Sequence, residues 1–322
     1  MQSSRRAVID VGTNSVKLLV AEVDGHAVRP VWEEGNQTRL GEGFYDTHRL
    51  QPPAIERTAQ AVAEFVEKAR FHQSVSLRVI ATSAARDALN RKELLQAVEQ
   101  QAGVTVEVIS GEEEAELAYR GVSTDPAFAG MRLLIIDAGG GSTEFILGEG
   151  EHRVFQQSFA LGAVRLLEKF KPGDPPTAAE LQNCRHWLRD FIEQKVQAAL
   201  APILAEGKDR TRLVGTGGTA AILARREWGM SDYDRVRIEA TRLGAEGLSR
   251  RVEQLWSLPL AQRREIAGLP PERADVMLTG AAIYEAVLQG VGFSELRVST
   301  RGLRFAAVLD AGKDGVWESQ GG

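Results

Sequence analysis

The chain has 322 residues, 43% of them hydrophobic, enough to fill two buried cores, so two domains are expected. A formal charge of −5 excludes the broad basic field on which non-specific nucleic-acid binding depends, so an anionic ligand must meet local cations. No run approaches the ~18 apolar residues of a membrane span, and the single cysteine, Cys184, cannot form a disulfide within the chain and reads as a buried structural thiol.

"MQSSRRAVID" enters a strand without an apolar signal region, which makes a cytoplasmic location the expectation. Strand patterns at residues 7–10, 17–23 and 28–34 are joined by "VGTNS" and "DGHA" and read as antiparallel hairpins. A helix follows over about 53–69, with Ile55, Ala59, Val62, Phe65, Val66 and Ala69 on one stripe. "LRVIAT" is a strand, and Asn90 caps a helix ending at Gly103. "VTVEVIS" is another strand, and Ser110 opens a helix to about Gly121. The order βββαβαβα then restarts, with three short strands in "RLLIIDAGGGSTEFILGEGEHRVFQQSFAL". Helices are expected at about 177–201, 218–228, 244–256 and 271–289, strands at 211–215 and 295–299, and a last helix at 301–309. The boundaries this implies are an N-terminal lobe at 1–125, a C-terminal lobe at 126–310 and a loose tail at 311–322.

The restart is a repeat. Sliding "VIDVGTNSVKLLVAEV" by 127 positions puts Asp10 on Asp137, Gly12 on Gly139 and Ser15 on Ser142. Glycine-rich turns let successive backbone N–H groups converge on one anion, because no Cβ blocks the approach and positive φ costs little. Thr13, Ser15, Ser142 and Thr143 add hydroxyl donors, and Asp10 and Asp137 are hard oxygen ligands suited to Mg²⁺. "GTGGTA" follows a strand and precedes a helix, which makes Gly217 part of a third loop of backbone amides at a helix N-terminus. No P-loop pattern is present.

In "SGEEEAELAYRGV", Ser110 and Glu113 form a capping box and Glu112 suits the helix dipole. Glu114 is not needed by the cap and stands where a strand gives way to a helix. In "ATSAARDALN", Arg86 is either a solvated residue behind a cap or a phosphate clamp. The five histidines show no metal-ligand spacing.

Together, "AVIDVGTNSVKLLVAEV", "RLGEGF", "VIATSAARDALN", "VISGEEEAELAYRGV", "LLIIDAGGGSTEFILG", "FALGAVRL", "LVGTGGTAAILA" and "RADVMLTGAAI" resemble the exopolyphosphatase/guanosine pentaphosphate phosphatase family. The resemblance covers roughly residues 5–310, in the family's motif order. It implies an α/β, two-lobed actin-like ATPase fold, ribonuclease H-like and duplicated, with an interdomain cleft. It also implies that Glu114 is the catalytic glutamate, that Asp137 and Glu144 bind the metal and help orient or activate water, and that Asp10, also a metal-ligand candidate, belongs to the phosphate grip. Thr13, Asn14, Ser15, Arg86, Gly139, Gly140, Gly141, Ser142 and Gly217 become the phosphate grip. Longer members carry further C-terminal helical domains that are not matched here.

The reaction so implied is metal-dependent hydrolysis of the terminal phosphoanhydride of inorganic polyphosphate, with Mg²⁺ or Mn²⁺ as cofactor. The alternatives are removal of the 5′-terminal phosphate of pppGpp, an actin-like kinase or ATPase, and a non-catalytic sensor of alarmone or polyphosphate. Neither nucleic acid nor membrane is an expected partner, and a homodimer is the default assembly.

Overall fold

The computed structural model describes residues 4–311. The chain divides into two compact units, one running to Ala127 and resuming at Arg301, the other formed by Phe128–Thr300. The tail expected at 311–322 lies, apart from Ala311, outside the described residues.

The first unit holds a five-stranded sheet: β1 (Ser4–Val11), β2 (Val16–Asp24), β3 (Ala27–Asn36), β4 (Ser76–Ala81) and β5 (Glu107–Val108), in the order β3-β2-β1-β4-β5. β1 to β3 form an antiparallel meander, while β4 lies parallel to β1 and β5 parallel to β4. β1 is apolar on both faces, as a central strand covered on both sides must be. Ala7, Ile9 and Val11 join one core, beneath the helix Pro52–Phe71, and Val8 joins another.

That second face corrects the expected domain boundary. The helix Leu303–Asp310, expected at the end of the C-terminal lobe, packs Phe305, Ala306, Ala307 and Val308 against Val8, Leu19 and Leu117 of the first unit. Arg120 grips Asp310 through two bonds of 2.7 and 2.9 Å, and Arg6 donates to the Leu309 carbonyl. Arg304 donates to the Leu18 carbonyl, so the chain's last described helix closes the sheet that its first strands open.

The second unit repeats the plan: β6 (Arg132–Ala138), β7 (Thr143–Glu149), β8 (His152–Phe159), β9 (Thr211–Thr216), β10 (Arg242–Gly244) and β11 (Glu295–Val298), in the order β10-β11-β9-β6-β7-β8. With β10 set aside as an added edge strand, β6, β7, β8, β9 and β11 occupy the places of β1 to β5. The helix Met277–Val291 is buried nearly all round and anchors this core, and Trp256 donates to its Leu278 carbonyl at 3.0 Å. The helix expected over 271–289 begins only at Met277, after a short 3₁₀ turn at Pro271–Arg273. A further helix, Ala163–Phe170, was not anticipated. Cys184 is fully buried beside the ion pair of Arg185 and Glu285, and burial, followed by the Glu285 charge, pushes its thiol up to about 12. It is the inert thiol expected.

One contact in the first unit sets two effects against each other. A Cβ on Gly121 would lie 2.0 Å from the carbonyl oxygen of Gly302, where the last helix begins. Helix propensity favours Ala over Gly by about 1 kcal/mol, whereas overpacking against backbone costs about 1–3 kcal/mol. Gly121→Ala should therefore lower stability in urea denaturation, and an increase would show that the two helices do not approach this closely.

Candidate active site

The repeated sequence builds the same turn twice. In the first unit the Gly12 amide donates to the Ser15 carbonyl at 3.0 Å, and in the second the Gly139 amide donates to the Ser142 carbonyl at 2.9 Å. A Cβ would sit 3.1 Å from the facing carbonyl at Gly12 and 3.2 Å at Gly139, which is why glycine opens both turns. Each turn fixes a ladder, with Asp10 opposite Lys17 in one and Asp137 opposite Glu144 in the other. Extended to the third strand, the rows read Asp10–Lys17–Gly35 and Asp137–Glu144–Ser158.

In the first unit, Asp10 is the last residue but one of β1, Thr82 follows β4 and Ser110 lies just beyond β5, so all three stand at the carboxyl ends of parallel strands, the edge of an open α/β sheet where ligands bind. Thr13, Asn14 and Ser15 are buried in the first turn, and the "RLGEG" segment packs on it through Gly41, whose amide donates to the Thr13 carbonyl at 2.7 Å. The Asn14 side-chain amide nitrogen and the Ser83 hydroxyl are buried without a partner among the described residues. Such orphaned groups cost about 1–3 kcal/mol each unless something binds them, and an anion's oxygens are the natural acceptors for the amide.

Arg86 lies in the short helix Ser83–Asp87 and donates to Glu114 at 2.9 Å and to the Ile109 carbonyl at 3.2 Å. The expected clamp and the expected base are thus a direct ion pair, with Glu114 the less exposed partner. Ser110 caps the helix Gly111–Ser123 by accepting from the Glu113 amide at 3.1 Å. The reciprocal half of the capping box is replaced, since Glu113 pairs instead with Arg78 at 3.2 Å. Asn90 stands at the N-cap of Arg91–Ala102 but turns its amide to the Leu50 backbone.

In the second unit the triple-glycine turn is stitched to the helix Ala163–Phe170. The Ala163 amide donates to the Gly139 carbonyl, those of Val164 and Arg165 to the Gly140 carbonyl, and the Arg165 side chain to the Gly141 carbonyl. A Cβ on Gly162 would come within 2.3 Å of the Gly140 oxygen, so "FALGAVRL" is the brace of this turn. The carbonyls are thereby committed, while the amides of Gly140 and Gly141 enter no backbone bond among the described residues. Glu144 is buried and accepts from Ser158 at 2.7 Å, and Asp137, opposite it, is half-buried. Gly217 has φ +83°, and a Cβ there would lie 2.3 Å from a carboxylate oxygen of Asp137. The "GTGGT" loop therefore abuts the metal-ligand candidate directly.

Two residues of this arrangement escaped the sequence reading. Tyr284, fully buried, donates to the Thr216 carbonyl at 2.8 Å and accepts from the Ala138 amide at 3.4 Å, tying the end of β6 to that of β9. Burial and the charges of Asp137 and Glu144 hold its phenol well above its ordinary value, so it remains a neutral strut. A lone tyrosine in the apolar helix sequence "MLTGAAIYEAVLQGV" was its signal. Lys17 is the other, and the 127-residue shift that places it on Glu144 would have found it.

Asp137 and Glu144, opposite each other on the ladder, are the two carboxylates expected to serve a cation. Mg²⁺ is ordinarily held by one or two carboxylates together with substrate phosphates rather than by an all-protein cage. No group of three or more His, Cys, Asp or Glu suited to a metal occurs among the described residues. Asp10 instead faces an ammonium, a poorer cation site.

A profile of the Ppx/GppA phosphatase family matches residues 19–311. The chain belongs to that family. "Exopolyphosphatase 2" of Mycobacterium tuberculosis is 35% identical over 312 residues, covering 93% of this chain and 96% of the relative. "Exopolyphosphatase 1" of Mycobacterium leprae is 28% identical, covering 97% and 91%. Among solved structures, the Aquifex aeolicus PPX-GPPA enzyme matches with a TM-score of 0.76 at 29% identity, over 96% of this chain and all of that one. An exopolyphosphatase from Cytophaga hutchinsonii matches with a TM-score of 0.82 at 27% identity, over 95% and 97%. The fold is the actin-like ATPase fold of these structures. No helix among the described residues is long and apolar enough to cross a membrane.

Burial raises the Asp10 carboxyl above its ordinary value, against the pull of Lys17 and Arg304. Its ionisation therefore opposes folding, and its contribution to stability falls as pH rises from the unfolded value near 3.8 through the raised native one. Asp10→Asn should raise the thermal midpoint at pH 7, with the gain gone below about pH 3.8. A lower midpoint at pH 7, measured by calorimetry, would contradict this.

Proposed function

We propose that this chain is an exopolyphosphatase that cleaves the terminal phosphoanhydride of inorganic polyphosphate and releases orthophosphate. The observation that carries the reading is the Asp137–Glu144 pair. Like charges directly opposite on a ladder destabilise a sheet, and this pair stands beside a turn in which the amides of Gly140 and Gly141 enter no backbone bond among the described residues.

The first unit contributes Glu114 and Arg86. Glu114 orients the attacking water and takes its proton as the water oxygen bonds to the terminal phosphorus. The bridging P–O bond breaks, and the shortened chain leaves with the electron pair. Arg86 fixes the Glu114 carboxylate through their ion pair and presents its remaining N–H groups to phosphate oxygens. In the first unit Thr13, Asn14 and Ser15 offer donors to a phosphate chain, and in the second unit the turn from Gly139 to Ser142, through the amides of Gly140 and Gly141, and the loop at Gly217 do the same. Asp137 and Glu144 would hold a divalent cation, Mg²⁺ in this proposal, which when bound would supply positive charge beside the transferring phosphoryl group. Ser158 holds Glu144 in place. The names of the mycobacterial relatives and the family assignment support this choice over a kinase, an ATPase or a sensor.

Phosphate release from polyphosphate in the presence of Mg²⁺, with no nucleotide added, is the direct test, with pppGpp as a parallel substrate. Glu114→Gln should reduce turnover by about 10²–10⁴ while chain binding persists, and EDTA should abolish turnover in the unmodified protein. Undiminished turnover in Glu114→Gln removes that residue from the mechanism, and no release from polyphosphate removes the activity.

A further inference from the structure

The second unit carries a cavity of about 430 Å³ lined by residues that begin β9, together with β10, β11 and the loop before it. The carboxylate row lies at the other end of the same sheet, since Asp137 pairs with Thr216 at the end of β9 and Arg132 with Thr211 at its start.

Three arginines meet there. Arg242 and Arg297 stand directly opposite each other on β10 and β11. Arg297 is level with Val214 on β9, and Arg212, two residues earlier, shares that face because side chains alternate with period two. Lys208 adds an ammonium, poised 5.7 Å from the Phe293 ring centre, with room left by Gly292, where a Cβ would lie 2.9 Å from its nitrogen. Four cations thus line the cavity against two carboxylates, Asp209 and Glu295.

The imbalance is larger than the count, because Glu295 is taken up by Arg242 at 3.0 Å. Among the described residues no carboxylate lies within ion-pair distance of Lys208, Arg212 or Arg297, and the Arg297 Nε is buried without an acceptor. Burial and the charges of Arg242 and Arg212 hold the Arg297 guanidinium below its ordinary value, with Glu295 pulling the other way. Opposed like charges destabilise a ladder, and a chain of net charge −5 has carboxylates to spare. The shortfall of carboxylates beside the four cations points to an outside anion.

We propose that this cavity is a second, non-catalytic binding site for a short inorganic phosphate chain. Guanidinium forks match phosphate oxygens two at a time, and neighbouring strands set such groups about 4.8 Å apart. A linear array of this kind suits a linear polyanion better than a single tetrahedral ion. The site's usefulness, keeping a chain on the protein between cleavages, rests on the activity proposed above. Binding itself needs no hydrolysis.

The test is tripolyphosphate binding in EDTA, where no turnover interferes. In the unmodified protein, tripolyphosphate should protect Lys208 from amine acetylation, read by mass spectrometry, and leave the exposed Lys92 unchanged. In the double variant Arg212→Gln, Arg297→Gln, that protection should vanish, and one class of calorimetric binding should weaken by at least about tenfold. Turnover of short chains with Mg²⁺ should be unchanged. An unprotected Lys208 overturns the proposal, as does a folded double variant that retains every binding event. Equal protection by sulfate at matched ionic strength also overturns it, by making the cavity a generic anion site. If the double variant fails to fold, Lys208 protection in the unmodified protein decides alone. Protection of Lys208 in a protein that hydrolyses no polyphosphate would sink the proposed activity and leave this site standing.

Discussion

The bond from the Gly139 amide to the Ser142 carbonyl closes the turn that holds β6 and β7 in register. Side chains on a strand alternate with period two, so a slip of one residue would send Glu144 to the face away from Asp137 and replace a buried carboxylate with an apolar neighbour. The row Asp137–Glu144–Ser158 exists only while that register holds. The rest of the second unit's site is arranged to keep it. Tyr284 ties the ends of β6 and β9 from below, the helix Ala163–Phe170 takes up the turn's carbonyls, and Gly217 leaves room for the Asp137 carboxylate.

The first unit uses the same turn to a different electrostatic end. The backbone bond is repeated at Gly12 and Ser15, and the strand order is repeated around it. Across the ladder, however, Lys17 replaces a carboxylate and Gly35 replaces a hydroxyl. Duplication preserved what the backbone needs and left the charged positions to diverge. One row presents carboxylates for a cation, the other an acid beside an ammonium. The first unit also holds Glu114 at a helix start, paired with Arg86 of the short helix Ser83–Asp87.

Both units give up stability at these strand ends. Asp10 is buried against its preference for ionisation, Asn14 keeps a buried donor without a protein partner, and two carboxylates oppose each other on one ladder. Other charges of the same chain are paired, as Arg185 is with Glu285 and Arg120 with Asp310. Local rules broken together at the strand ends where a ligand would bind mark positions shaped by function rather than by folding.

The sequence by itself determined the elements whose causes are local. The doubled glycine turns, the alternating strands around them and the cap at Ser110 are written in residues a few positions apart, and the repeat of Asp10 at Asp137 needed only a shift of 127. Partnerships that depend on distant segments were decided by the tertiary structure alone. Glu113 leaves its capping box for Arg78, Asn90 leaves its cap for Leu50, and Arg86 meets Glu114 from 28 positions away. The last helix returns to the first unit because the outer face of a two-sided sheet needs covering and Gly121 lets it approach. Periodicity announces that a helix has an apolar face, but which sheet buries that face depends on shape and spare area, quantities that exist only once the rest of the chain is folded.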